Sequence, residues 1–448
     1  MQMQLSTAAL QLHAELIGED VAFSHVGTDT RALQQGDLFV ALKGDHFDGH
    51  HYLQQAQDAG AVAAMVSRQI SSTMPLLKVK DTRQGLGQLA AIWRQSFTIP
   101  LAAVTGSNGK TTVKEMIASI MSQQGDVLAT KGNLNNDIGV PLTLLRLQDK
   151  HRSAVIEMGA NHAGEIEYLC TLARPHVAVI TNAGAAHLEG FGSIEGVAQA
   201  KGEIFTALDK DGIAVINADD DFASTWQQMA GSRKIIRFGI SNDADVSAEW
   251  MQQQDILQLQ INTPAGSCSL RMQLLGRHNI MNALAATAVA QSMGASLDMI
   301  VRGLEAFKPV AGRLQIQQGL PGMQIINDTY NANPASFSAA VDVLADMPGT
   351  KYLVLGDMGE LGNDAAQRHA ECGKLAKDKG VDHLYAVGEL SQHAVKAFGD
   401  QAIWFNDKAD LARQIIQDWD SSGTLLIKGS RSMHMEEVIN ALQAGGIE

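Results

Sequence analysis

Three cysteines in 448 residues, no apolar run approaching about 18 residues and no surplus of positive charge set the first limits on this chain. Cys170, Cys268 and Cys372 are odd in number and widely spaced, so they read as reduced, packed thiols, and none sits in a motif that would activate it. The apolar runs are too short to span a bilayer, and no basic stretch followed by an apolar run opens the chain. Neither membrane insertion nor secretion is expected, and the compartment is read as cytoplasmic. A net charge of −14 argues against a general nucleic-acid or anionic-membrane surface, so any anionic ligand must be held by local positive groups. Internal repeats and low-complexity tracts are also missing. What remains is globular: 45% hydrophobic and 18% charged residues supply an ample core, and the length suggests roughly two to four domains.

The most informative stretch is Thr105-Gly-Ser-Asn-Gly-Lys-Thr-Thr112, after the apolar run Leu101-Ala-Ala-Val104 and before an amphipathic segment at 113–121. A strand that breaks on glycines and enters a helix through Lys-Thr is a phosphate cradle. Loop N–H groups and the positive helix end face the anion, Lys110 reaches the outer phosphates, and the Thr111 hydroxyl can hold Mg²⁺. Val113, Met116, Ile117, Ile120 and Met121 recur at helical spacing and predict one buried face. The usual form has four residues between its first glycine and the Gly-Lys pair; here only Ser107 and Asn108 intervene. ATP or a close relative is the expected ligand.

Around this loop, short apolar runs alternate with turns over the first eighty residues, including strands expected at 37–42 and 61–66. Lys78–83 reads as a boundary, and a helix is expected over 86–97. Strands at 154–157, 177–181 and 213–217 separated by helices predict a mostly parallel sheet covered on both faces. A second boundary falls at 309–313. Beyond it, strands at 324–327, 352–355, 383–387, 402–405 and 424–427 alternate with helices at 334–345, 365–379, 409–419 and 433–444. That is a separate doubly wound unit without a G-x-G-x-x-G fingerprint.

Several groups could do chemistry. Glu157 ends a predicted parallel strand, where a carboxylate can bind the nucleotide Mg²⁺ or simply pair locally. His187 lies in a small-residue loop at the same sheet edge, although Mg²⁺ prefers oxygen to imidazole. Lys201, in Ala200-Lys-Gly-Glu203, would ordinarily be a solvated helix lysine. Asn279 and Asn282 share a helix face and could read an adenine edge, or one of them could cap the helix. Arg313 at the hinge suits a phosphate. Asp328, in Asn327-Asp-Thr-Tyr-Asn-Ala-Asn-Pro334, sits at a strand end, and Lys428 and Arg431 flank a potential anion-binding helix start.

The set of motifs resembles the Mur ligase family. Thr105–112, Gly132-Asn-Leu-Asn-Asn-Asp-Ile-Gly-Val-Pro141, Ala186-His-Leu-Glu-Gly190, Ala200-Lys-Gly-Glu203, Gly276-Arg-His-Asn279 and Asp328–334 occur in that family's order across nearly the whole chain. The short phosphate loop is that family's form. The resemblance implies an α/β fold of three domains: a small mixed α/β unit over 1–82 that binds a UDP-substrate, a central P-loop unit with a mostly parallel sheet over 83–312, and a Rossmann-like doubly wound unit over 313–448 that closes over the site. It implies a ligase that uses ATP to join D-alanyl-D-alanine to the carboxylate of UDP-N-acetylmuramoyl-tripeptide through an acyl phosphate, in cytoplasmic peptidoglycan precursor synthesis.

By the same resemblance Lys110, Glu157, His187 and Lys201 are catalytic. The nucleotide lies on Thr105, Gly106, Ser107, Asn108, Gly109, Lys110, Thr111 and Thr112, with Asn279 and Asn282 near the adenine and Arg313 and Asp328 reaching in from the third unit. Thr111, Glu157, His187 and Lys201 serve two Mg²⁺ sites, Lys201 as a CO₂-derived carbamate. The uridine end would meet the regions Thr28-Asp-Thr-Arg31 and Ala41-Leu-Lys43-Gly44. Partners are these small molecules only, with no nucleic acid and no membrane insertion, and a monomer is expected. The nearest alternative is a ligase that adds another amino acid, such as the diaminopimelate-adding enzyme, but its Asp-Asn-Pro-Arg motif does not occur here. A folylpolyglutamate synthetase, a P-loop kinase and a nucleotide-gated binding module are the others.

Overall fold

Short runs of Ala, Val, Ile and Leu, buried on both faces, build the central layer of the protein, whose computed structural model describes residues 2–184, 188–253, 256–419 and 422–445. Six strands lie in the order Lys234–Phe238, Ile213–Asn217, Val177–Ile180, Leu101–Thr105, His151–Glu157 and Asp126–Ala129, all parallel. Because side chains alternate across a strand, Leu101, Ala103, Ala154 and Ile156 pack into one apolar cluster, while Ala102, Val104, Val155 and Val179 pack into another. Helices Thr82–Gln95 and Ile194–Thr206 cover the first face; Lys110–Met121 and Arg277–Ser292 cover the second. The chain leaves Leu101–Thr105 toward one edge and returns on its other side, so the loop after that strand opens at a switch point of the sheet.

The amino-terminal layer is a five-stranded mixed sheet that includes Asp37–Val40 and Ala61–Val66. The helix expected over 86–97 runs from Thr82 to Gln95, because Asp81 accepts from Arg83 N–H and Gln84 N–H and caps it early. An antiparallel meander, Ser247–Gln253, Ile256–Thr263 and Gly266–Gln273, was not among the expected elements. Its signal was the alternation that buries Leu257, Leu259 and Ile261 beside helix Arg277–Ser292.

The carboxyl-terminal sheet runs Gln315–Gln318, Gln324–Asp328, Thr424–Lys428, Lys351–Gly356, His383–Val387 and Ala402–Phe405, with only the first strand antiparallel to its neighbour. The register sets Asp328 beside Lys428 and Lys428 beside Leu355. The loops after these strands therefore share one sheet end, and that end faces the phosphate loop. No helix among the described residues is long and apolar enough to cross a membrane.

Candidate active site

The phosphate loop takes its shape from small residues and from the neighbouring strand. Gly106 has φ +149, and a Cβ there would lie 1.8 Å from Thr181 Oγ1. Ser107 N–H donates to Asn182 O at 2.9 Å and Asn108 N–H to Asn182 Oδ1 at 2.9 Å, while the Thr181 hydroxyl donates to Asn108 O. Gly109 then turns the chain into helix Lys110–Met121 with φ +81, and a Cβ there would meet Asn282 Oδ1 at 2.5 Å. Gly109→Ala is expected to cost about 1–2 kcal/mol in stability and to weaken ATP binding. Thermal unfolding and calorimetric titration would check both, and undiminished binding would show that the loop relaxes around a methyl group.

Two charged groups stand at the loop's mouth. Lys110 Nζ donates to Gly106 O at 2.7 Å, and loss of solvent holds its ammonium below the ordinary lysine range. Glu157 opposes that shift, Arg313 adds to it, and Glu360 opposes it. The Thr111 hydroxyl donates to Glu157 Oε2 at 3.0 Å, and Asn135 Nδ2 donates to Oε1 at 2.9 Å. Register explains the meeting: Glu157 pairs with Val104 across adjacent parallel strands, so both chains leave the sheet together. Asn135 lies in the Gly132–141 motif, whose role sequence reasoning left open; only the fold brings it to the carboxylate.

Lys201 is 2% exposed, with its Nζ 5.9 Å from the Phe191 ring centroid. It makes no hydrogen bond to a described residue. Burial, with Lys110 repelling it, brings its pKa down to about 7 from 10.5. The sequence reading of a solvated helix lysine is thus corrected: its helix face packs into the core, between Ala200 and Gly202. His187 lies outside the described residues, and among these there is no cluster of three or more His, Cys, Asp or Glu side chains able to hold a metal. The hydroxyl of Thr111 and the carboxylate of Glu157 are hard oxygen donors that suit Mg²⁺, but they are too few to enclose it. Phosphate oxygens and a carbamate would complete such a set.

Across the loop lies the carboxyl-terminal layer. Together they enclose a cavity of about 370 Å³ lined by Ser107–Thr111, Arg313, Asn333 and the loops at Gly359–361 and Ser430–432. Asn333 Nδ2 donates to Asn108 Oδ1 at 2.9 Å and joins the two layers directly. Its Oδ1 meanwhile caps helix Pro334–Ala345. The Arg313 guanidinium lies 4.2 Å from the Tyr330 ring centroid, and its Nε is buried with no partner among the described residues, a donor waiting for an anion. A second cavity of about 340 Å³ continues from Gly109 past Asn279, Asn282, His278 and Phe238. Two joined spaces of this size suit a nucleotide, the polar one for phosphates and the less polar one for the base.

The other expected residues fall as follows. Thr105 is fully buried and donates to Met158 O at 2.7 Å, so it shapes the strand end without lining either cavity. Thr112 lines the second cavity. Asn279 donates to Leu275 O at 2.8 Å and Asn282 donates to Asn279 Oδ1, so each amide keeps polar capacity toward the second cavity. Asp328 lines the same cavity but is ion-paired with the buried Lys428, and its Oδ1 accepts from Leu314 N–H at 3.2 Å. Burial holds Lys428 below the ordinary lysine value although Asp328 opposes the shift. Arg431 lines the first cavity and pairs with Glu436.

Three family models match the chain: "Mur ligase family, catalytic domain" over residues 22–94, "Mur ligase middle domain" over 104–290, and "Mur ligase, glutamate ligase domain" over 312–431. The chain is 48% identical over 439 residues to the UDP-N-acetylmuramoyl-tripeptide–D-alanyl-D-alanine ligase of Escherichia coli, covering 97% of each protein. Against the ligase of that name from Bacillus subtilis it is 36% identical over 95% of this chain and 94% of the other. Among solved structures, MurF of Acinetobacter baumannii superposes with a TM-score of 0.94 at 38% identity over 99% of each chain. MurF ligase of Thermotoga maritima in complex with ADP superposes at 0.86 and 28% identity, over 94% of this chain and 97% of that one.

Proposed function

The chain belongs to the Mur ligase family, and on that premise we propose that it joins D-alanyl-D-alanine to the terminal carboxylate of UDP-N-acetylmuramoyl-tripeptide at the expense of ATP, in peptidoglycan precursor synthesis. The observation that carries this reading is the cavity in which Lys110, Thr111 and the Glu157-bound mouth of the phosphate loop face Arg313 and two loops of the carboxyl-terminal sheet. A kinase needs one acceptor beside the phosphate. A ligase needs two, and a second wall of loops beside the phosphate loop supports that reading.

A free carboxylate is a poor acyl donor because its leaving group would be oxide or hydroxide. Its oxygen therefore attacks the γ-phosphorus of ATP, giving an acyl phosphate and ADP; the dipeptide nitrogen, once its ammonium has given a proton to solvent, attacks the acyl carbon, inorganic phosphate leaves with the C–O electron pair, and the nitrogen loses its second proton to the departing phosphate or water. Lys110 and Arg313 lie where negative charge meets negative charge, and Asn135 keeps Glu157 turned toward Thr111. Thr111, Glu157, His187 and Lys201 are the residues that would hold two Mg²⁺ ions, Lys201 as its carbamate. When bound, these groups neutralise charge between the two anions. The Lys201 amine suits carbamate formation because burial, with Lys110 beside it, lowers its pKa to about 7 and so favours the uncharged form that adds CO₂.

Three working parts follow: 1–82 for the UDP end, 83–312 for ATP and 313–448 for the dipeptide and closure, in a monomer acting in the cytoplasm. The Asn333–Asn108 bond links closure to the phosphate loop, and exclusion of water protects the acyl phosphate. The test is phosphate release from ATP, Mg²⁺, UDP-N-acetylmuramoyl-tripeptide and D-alanyl-D-alanine with each omitted in turn. Release that needs all four, with a pentapeptide mass, supports the ligase. Release indifferent to the dipeptide sinks it.

A further inference from the structure

His369 lines neither cavity and is 0% exposed, yet each of its ring nitrogens has a partner. It stands on the helix Ala365–Asp378, which packs into the apolar core of the carboxyl-terminal layer through Cys372 and Ala376. Its Nδ1 lies 2.7 Å from Ala365 O, and its Nε2 accepts from Met358 N–H at 2.9 Å. A carbonyl oxygen accepts and an amide N–H donates. These two partners therefore fix the ring as neutral, with its proton on Nδ1 and a bare Nε2. Burial agrees with that state: it holds the imidazole below the usual histidine range, although the Ala365 carbonyl and Asp357 oppose the shift and His393 adds to it.

The loop that His369 holds leaves the strand Lys351–Gly356 and is fastened residue by residue. Asp357 O accepts from Ser430 N–H at 3.0 Å, and the Asp357 carboxylate accepts from Ser391 N–H at 2.8 Å and Leu390 N–H at 3.2 Å. Met358 is fully buried with its N–H on His369, and Gly359 N–H donates to Ser430 Oγ at 2.7 Å. Glu360 follows at φ +62, a conformation that a residue with a Cβ adopts when its surroundings impose it. Gly359, Glu360 and Leu361 then join Ser430 and Arg431 in lining the 370 Å³ cavity with Lys110, and none of the five lines the second cavity. Resting on the ligase reading above, we propose that His369 is a positioning residue for dipeptide capture, acting through the Met358 N–H on the loop that walls this cavity. Ser430 belongs to a neighbouring loop of the same wall, whereas His369 stands on a core helix, so its bond ties the wall to a rigid element. The phosphate loop is shaped by its own contacts with Thr181 and Asn182, and ATP affinity should not depend on this brace.

The test uses two substitutions that each keep half of the imidazole's bonding. His369→Gln puts an amide oxygen where Nε2 stood and can still accept from Met358 N–H. His369→Asn reaches the Nδ1 position, can still donate to Ala365 O, and leaves Met358 N–H without its acceptor. Both are assayed with ATP, Mg²⁺, UDP-N-acetylmuramoyl-tripeptide and D-alanyl-D-alanine, beside calorimetric titration with ATP and thermal melts. His369→Asn should raise the KM for the dipeptide about fivefold or more at unchanged ATP Kd, while His369→Gln should stay within about twofold of wild type in both. Equal losses in the two variants, in step with their melting temperatures, would mean a histidine that serves stability alone and overturn the proposal. An unchanged dipeptide KM in folded His369→Asn overturns it as well. Nitrogen-15 spectra of the wild-type imidazole, assigned against His369→Gln, test the brace even where His369→Asn does not fold. A proton on Nδ1 and a bare Nε2 near neutral pH support it, and the opposite tautomer or an imidazolium overturns it. If wild type forms no pentapeptide, the ligase reading itself fails and the proposal falls with it.

Discussion

Lys110→Ala is expected to abolish ATP-dependent turnover, lowering kcat by on the order of 10³-fold or more, because one preorganised charge at a phosphoryl transition state contributes on that scale. Among the described residues the Lys110 ammonium donates to the carbonyls of Gly106 and Ser107, contacts within its own loop that a phosphate can replace. The fold should therefore survive the change with little loss. Lys110→Arg should rescue poorly, since a forked guanidinium does not fit where a single compact ammonium curls back over a tight loop. Steady-state kinetics with thermal melts settle the matter. Substantial turnover in a folded Lys110→Ala protein would mean that the phosphates lie elsewhere.

The second large effect concerns Lys201, where activity and stability should move in opposite directions. Lys201→Met keeps the volume and removes the charge, and it should eliminate ligase activity. It should also stabilise the uncarbamylated protein. The folded-state pKa of about 7 lies below the 10.5 of the free side chain, so the folded state binds the proton less tightly than the unfolded one. Below pH 7 both states are protonated and the wild type bears the full penalty of a buried cation, with an upper bound of about 5 kcal/mol. Between pH 7 and 10.5 the unfolded state alone holds the proton, so wild-type stability rises with pH through that window. The advantage of Lys201→Met should be largest near pH 6 and fade toward pH 10. Denaturant unfolding at several pH values measures this, and bicarbonate should restore activity to CO₂-depleted wild type. A fully active Lys201→Met enzyme, or one without added stability at pH 6, would falsify the carbamate assignment.

How much of this was legible beforehand differs from residue to residue. The strand, glycine turn and Lys-Thr helix start at 101–121 are local chemistry: an apolar run, residues that accept positive φ and a helical apolar period lie within about twenty positions, and the structure has them as read. The alternation of strands and helices after 313 was equally direct, because parallel strands buried on both faces are continuous apolar runs. The meander at 247–273 went unread because it interrupts that alternation with period-two strands. The burial of Lys201 was not legible because a helix period does not say which face is core until the neighbouring helices are in place, and its expected metal role rests on the family. His187 lies outside the described residues, and its expected role rests on the family alone.

The sequence by itself determined the phosphate loop, the three α/β layers and the family, since each is encoded in residues close together or in motifs read in order. Tertiary structure decided the rest of the site. Asn135 reaches Glu157, and Asn333, 225 positions along the chain, bonds Asn108. Lys201 loses its solvent, and the loop carrying Glu360 comes to line the same cavity as Lys110. These contacts depend on which strand ends stand side by side and which sheet end faces the other, and burial, not local spacing, fixes both.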